Sequence, residues 1–218
     1  MVDSIIFDLD GTLWDSTQEV AVAFNKVLKE KHPEVKETVT VKDLKALFGR
    51  PLDEIGIELF QSIAEEEAVK VIKECCDYEN EYLAEVGARL YDGLEETLRE
   101  LVKSYQLFIV SNCQDGYIQC FFQANPHLEQ YFTDFECPGM SGLLKADNIR
   151  LIMKRHNLKN PVYVGDTQGD ATASKEAGVP FIFARYGFGE VKEYDLAVDC
   201  FSELPEKIRQ KYPCKLDN

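Results

Sequence analysis

Asp8 and Asp10 stand two residues apart at the end of an apolar run, and Gly11 and Thr12 follow at once. Side chains two apart on a strand share one face. Two carboxylates that close repel unless a cation or a shared proton lies between them. The pair therefore predicts a site for a hard divalent cation, Mg²⁺, and chemistry on something anionic. A calcium loop fits less well. An EF-hand carries its glycine at the sixth position after a helix, whereas here the glycine is fourth and follows a strand-type run.

Further along, more polar side chains stand where apolar runs end. Residues 106–111 read as a strand closing on Ser111 and Asn112, and residues 161–165 as one closing on Asp166 and Thr167, with Asp170 four past Asp166. Lys145 opens the helix before that second strand. Taken singly, each has a plainer reading. Asp166 and Asp170 suit a helix N-terminus, Ser111 suits a turn, and Lys145 suits a solvated surface. In a parallel sheet, however, ligands bind outside the carboxyl ends of the strands. All four segments then meet at one edge, and that convergence singles them out.

The elements that must position them follow from periodicity. Residues 4–9 form a buried strand. Ala21, Phe24, Val27 and Leu28 fall on one helical stripe, and Val71, Cys75, Tyr82, Val86 and Leu90 on another. Helices are also expected over 41–48 and 52–64, broken at Gly49-Arg50-Pro51. No strand is expected between about 16 and 90. From 94 onward helices and strands alternate: helix 94–104, strand 106–111, helix 115–123, strand 131–135, helix 146–157, strand 161–165, helix 168–177, strand 180–184. A short strand near 196–199 and a helix near 203–211 end the series. Such alternation predicts an α/β fold, a doubly wound, mostly parallel sheet with helices on both faces. The expected organisation is a core of residues 1–15 and 91–218, interrupted by a helical insert over 16–90. Arg50, at the break in that insert, is a candidate substrate contact, with a solvated surface arginine as the alternative. Trp14 sits at the hinge and is assigned to packing, while Phe48 and Tyr186 are candidates for the pocket lining.

Composition narrows the function classes. At 218 residues the chain can bury a sizeable core. The formal net charge of −15 argues against a nucleic-acid partner, which would require a basic face. No apolar run approaches the roughly 20 residues of a membrane span. The seven cysteines are odd in number, form no C-x-x-C pair and accompany no basic leader, which predicts reduced thiols in the cytoplasm. A monomer is the default expectation.

The four segments resemble the motifs of the haloacid dehalogenase superfamily, in its phosphatase and phosphomutase branch. They are Asp8-Leu9-Asp10-Gly11-Thr12, then Ser111, then Lys145, then Gly165-Asp166-Thr167-Gln168-Gly169-Asp170. Asp15-Ser16 is similar to the phosphoglycolate phosphatase-like and β-phosphoglucomutase-like subgroup, and the insert looks like that group's helical cap. Many relatives carry Lys-Pro-x-Pro at the third motif, where this chain has Lys145-Ala146-Asp147-Asn148, with Lys154 the substitute.

The resemblance implies a Rossmann-like core and a Mg²⁺-dependent phosphatase acting on a small phosphorylated metabolite. It makes Asp8 the nucleophile, carrying an aspartyl-phosphate, and Asp10 the general acid and then base. The metal ligands it implies are Asp8, the backbone carbonyl of Asp10 and Asp166, with Asp170 either a ligand or the holder of a metal-bound water. Ser111, Asn112 and Lys145 would bind the phosphoryl group. The rivals are a phosphomutase of the β-phosphoglucomutase type, a pyrophosphatase or nucleotidase, and a phospholigand-binding protein without turnover. A dehalogenase is disfavoured, because that branch generally lacks the second aspartate.

Overall fold

A computed structural model describes residues 2–212. Six strands form one wholly parallel sheet: β1 (Ser4–Phe7), β4 (Gln106–Val110), β5 (Asp134–Glu136), β6 (Pro161–Gly165), β7 (Phe181–Ala184) and β8 (Leu196–Val198). Their order is β5-β4-β1-β6-β7-β8. Ser4 of β1 pairs with Gln106 on one side and Pro161 on the other, so β1 lies between β4 and β6.

Strands covered on both faces read as continuous apolar runs, and β1 is buried at all four positions. Alternate side chains supply two cores. Ile5, Phe7, Leu107, Ile109, Val162 and Val164 face one way, against α5 (Leu94–Leu101), α6 (Tyr117–Ala124) and α10 (Leu204–Lys211). Ile6, Phe108, Val110 and Tyr163 face the other, against α8 (Lys145–His156) and α9 (Gln168–Ala177).

Between the first strand and α5 lie α1 (Thr17–Lys31), α2 (Val41–Leu47), α3 (Leu52–Leu59) and α4 (Glu65–Val86). Both α1 and α3 pack along α4, and α4 packs on α6, so the apolar face of these helices is continuous with the first core. The chain enters and leaves them on a two-stranded antiparallel ribbon, β2 (Trp14–Asp15) against β3 (Arg89–Leu90). Arg89–Leu90 corrects the expectation of no strand between about 16 and 90. A pair two residues long has no periodicity to read. Trp14 is fully buried, edge-on to Tyr117 at 5.8 Å and Phe121 at 5.0 Å between ring centroids. Such contacts are worth about 0.5–1.5 kcal/mol each beyond burial, which suits the packing role expected of it.

Several boundaries move. The strand expected at 131–135 begins at Asp134, after a single 3₁₀ turn at Glu129–Tyr131. A short helix, α7 (Pro138–Ser141), was not anticipated. On α4, Leu83 is buried where Val86 was expected to be, and Val86 is half exposed. Of the cysteines, Cys75, Cys76, Cys113, Cys120, Cys137 and Cys200 are free thiols; Cys214 lies outside the described residues. No helix among the described residues is long and apolar enough to cross a membrane.

Candidate active site

Asp8 follows the last residue of β1, and its backbone N–H donates to Val164 O at 2.8 Å, which ties it to the end of β6. Immediately beyond it the chain turns sharply. Gly11 takes φ +77°, and a Cβ there would collide with the Asp166 carboxylate. Glycine is the residue that adopts this conformation without strain and leaves that space open. The turn brings Asp10 back toward the sheet edge and sets Asp166 against the backbone.

The carboxylates of Asp8, Asp166 and Asp170 each place an oxygen within 4.8 Å of the others, and all three residues are buried. Lys145 Nζ, itself buried, donates to Asp8 Oδ1 at 2.9 Å and to Asp170 Oδ1 at 2.5 Å. Burial alone would lower the lysine pKa, but the charges of Asp170 and Asp8 drive it upward, so it stays an ammonium. Burial and the charge of Asp170 push Asp8 above the usual carboxylate range, while Lys145 and Ser111 oppose the shift. Burial and the charges of Asp170 and Asp8 likewise push Asp166 upward. Lys154, by contrast, is exposed on α8.

Asp170 has two tasks. Its Oδ2 closes a capping box with Thr167 at the start of α9, and its Oδ1 takes Lys145. The plain helix-terminus reading of this residue therefore holds alongside its place in the cluster. Asp166 differs. Its Oδ2 accepts from Phe188 N–H at 2.7 Å, but its Oδ1 is buried with no hydrogen-bond partner. An orphaned buried carboxylate oxygen beside two other carboxylates fits a hard cation, with oxygen ligands already in place.

The Asp10 carboxylate stands apart from this cluster. Its Oδ1 accepts from Ser16 Oγ at 2.6 Å and from the Tyr117 hydroxyl at 2.9 Å. Burial pushes its pKa up to about 7, with Asp8 adding to the shift and the two hydroxyl donors resisting it. A carboxyl poised there can give and take a proton at neutral pH.

Ser111 is buried beside Asp8 at the end of β4. Asn112 uses its Nδ2 on Gly49 O, 2.9 Å away, and so joins the sheet edge to the bend between α2 and α3. Arg50 is exposed on that bend, at the rim of a cleft of about 880 Å³ that Lys145 and Asn112 also border. A smaller chamber of about 40 Å³ lies inward, bounded by Asp8, Asp10 and Ser111 below and by Phe24, Phe48 and Glu79 above. Phe48 lines it as expected. Tyr186 does not, because its hydroxyl turns to Thr12 O at 2.9 Å and its ring packs on Tyr91.

Two residues escaped the sequence reading. Tyr117, on α6, holds Asp10. Glu79, fully buried on α4, has its Oε2 2.9 Å from Gln114 Nε2. Burial and the charge of Asp10 push Glu79 up to about 8. A signal for it existed, since Glu79 continues the buried stripe of Ala68, Ile72, Cys75 and Cys76 on to Leu83.

Residues 5–184 match the haloacid dehalogenase-like hydrolases, and the chain belongs to that family. It is an enzyme, a hydrolase, and relatives that it matches nearly end to end are phosphatases. The phosphoglycolate phosphatase of Vibrio parahaemolyticus is 28% identical over 223 residues, covering 94% of this chain and 95% of its own. A predicted phosphatase from Clostridium acetobutylicum has a crystal structure that superimposes with a TM-score of 0.78 at 26% identity, over 96% of this chain and 99% of that one. A predicted phosphoglycolate phosphatase from Haemophilus somnus superimposes at 0.79 with 23% identity, over 94% and 97%, a likeness of fold.

Proposed function

We propose that this phosphatase hydrolyses a small phosphomonoester in two steps, carrying the phosphoryl group on Asp8 between them. The observation that carries the reading is a single buried chamber in which Asp8 and Asp10 face the same space, with Ser111 beside Asp8. A reducing compartment, the cytoplasm, suits the buried free thiols.

In the first step a carboxylate oxygen of Asp8 attacks phosphorus, and the bond from phosphorus to the ester oxygen breaks. Asp10 gives its proton to the departing oxygen. In the second step Asp10, now ionised, takes a proton from the water that attacks phosphorus, the bond from phosphorus to Asp8 breaks to return the carboxylate, and inorganic phosphate leaves. Ser16 and Tyr117 hold Asp10 in place for both transfers. Lys145 fixes the orientation of Asp8 and offsets part of its charge. Residues 16–90 act as a helical cap over the core, and their Phe24, Phe48 and Glu79 roof the chamber and exclude water. Asp8 and Asp166, with Asp170 behind them, would hold a Mg²⁺, which when bound offsets the repulsion between the nucleophile and a phosphate dianion.

The test is phosphate release from p-nitrophenyl phosphate in Mg²⁺. Turnover should cease in excess chelator and fall by about 10²–10⁴ in Asp10→Asn. Turnover that survives both would refute the reading.

A further inference from the structure

The roof of the inner chamber carries a carboxyl where an anionic leaving group would call for a cation. Glu79 hangs from α4 above the floor formed by Asp8 and Asp10, and Phe24, Phe48, Leu52, Ile55 and Cys76 make up the rest of the roof. Among the described residues no Lys, Arg or His borders this chamber. Lys145 approaches Asp8 and Asp170, and both of its bonds are on the side of the aspartate cluster. Arg50 stands at the outer rim, beyond the bend that Asn112 anchors. Gln114 grips Glu79 from the core side, bonding Asn80 of the same helix as well, so the carboxyl is held in one position.

The atoms attached to the ester oxygen must occupy this chamber, because Asp10 has to reach that oxygen. A carboxylate two atoms away would be buried beside Glu79 and beside Asp10, which turns anionic as it gives its proton to the ester oxygen, with no cation to pair it, which is costly. A hydroxyl in the same place loses little, since a carboxyl partner can bond it in either protonation state. We propose that Glu79 is a specificity-determining residue that selects phosphomonoesters whose leaving group is an uncharged, hydroxylated chain and rejects those with a carboxylate next to the ester carbon. This rests on the phosphatase reading, and it separates the chain from relatives whose name is phosphoglycolate phosphatase.

An isosteric substrate pair tests it. The full-length enzyme with Mg²⁺ is given 2-hydroxyethyl phosphate and 2-phosphoglycolate, which differ only in a terminal alcohol against a carboxylate, beside p-nitrophenyl phosphate. The expected kcat/KM ratio favours the alcohol by at least about tenfold. A ratio near one, or one favouring 2-phosphoglycolate, overturns the proposal with no variant needed. Glu79→Gln should reduce the ratio several-fold and Glu79→Asp should retain most of it. An unchanged ratio in a folded Glu79→Gln removes Glu79 from the role. Absence of turnover on all three esters, p-nitrophenyl phosphate included, overturns instead the phosphatase reading and this proposal with it.

Discussion

The hydroxyl of Tyr117 lies 2.9 Å from Oδ1 of Asp10, although 107 residues separate them in the chain. Ser16 Oγ contacts the same oxygen and the same hydroxyl. Donors to the ionised form hold a carboxyl pKa down, so their removal lets burial raise it further. Tyr117→Phe should therefore move Asp10 above its value of about 7. In the proposed first step Asp10 gives up a proton, so the high-pH limb of kcat/KM should shift upward by about one unit, the worth of one hydrogen bond to a charged group. A pH–rate profile reads this directly, and a limb that stays put or moves down contradicts the assignment.

Lys145 bonds both Asp8 and Asp170 in a setting closed to water. Removing one member of a buried ionic cluster leaves the others uncompensated and costs about 3–5 kcal/mol. Lys145→Met should lose stability on that scale in denaturant titrations without metal. Added MgCl₂ should recover more stability in the variant than in the wild type, since a cation replaces the missing charge. Equal stability of the two proteins in chelator would count against the cluster.

Asp166 offers an unpartnered oxygen, and burial with its acidic neighbours raises its pKa well above that of an unfolded chain. The native state then binds more protons than the unfolded one, so this site makes stability fall as pH rises above the ordinary carboxylate range. Asp166→Asn should be at least as stable as the wild type in chelator at pH 7. It should also lose the gain that Mg²⁺ gives the wild type, about 2.7 kcal/mol at a hundredfold excess over Kd. Thermal melts with and without MgCl₂ check both halves.

Glu79 allows a similar test away from the aspartate cluster. Its pKa rises from an ordinary 4.5 to about 8 on folding. Between those values the unfolded chain ionises while the native site keeps its proton, so this group's contribution to stability declines with rising pH and levels off above about 8. The limit is about 1.4 kcal/mol per pH unit. Glu79→Gln lacks that decline. Its stability relative to the wild type should improve by a few kcal/mol between pH 5 and pH 8. A constant difference across that range would show that the carboxyl ionises freely.

Much of this architecture is legible in the residues themselves. The run at 4–9, the strand ends at Ser111 and Asp166, and the alternation after 94 have strong periodic signals, and the sheet brings their carboxyl ends to one edge as expected. The parts that escape are of two kinds. The Trp14–Asp15 and Arg89–Leu90 ribbon and the helix at Pro138–Ser141 are too short to carry a period. Tyr117 and Glu79 sit on helices as ordinary members of a stripe, and their importance comes from what another element brings near them. Seven glutamates occupy α4, and only Glu79 among them is buried. A charged residue on an otherwise apolar face was the available sign, and it was masked by its exposed neighbours. Tyr186 shows the reverse error, since an aromatic near the sheet edge was directed to Thr12 instead of the chamber.

The claim on which the account turns is that phosphorus becomes bonded to Asp8. Acid quenching of the wild-type enzyme and of Asp10→Asn during turnover, followed by peptide mass mapping, looks for that bond. With p-nitrophenyl phosphate, whose leaving group departs without a proton, a phosphoryl group should appear on Asp8 and accumulate in Asp10→Asn, where its hydrolysis is slowed. Steady phosphate release from Asp8→Asn at the wild-type rate, with no phosphoryl group recovered on Asp8 in either protein, would contradict it.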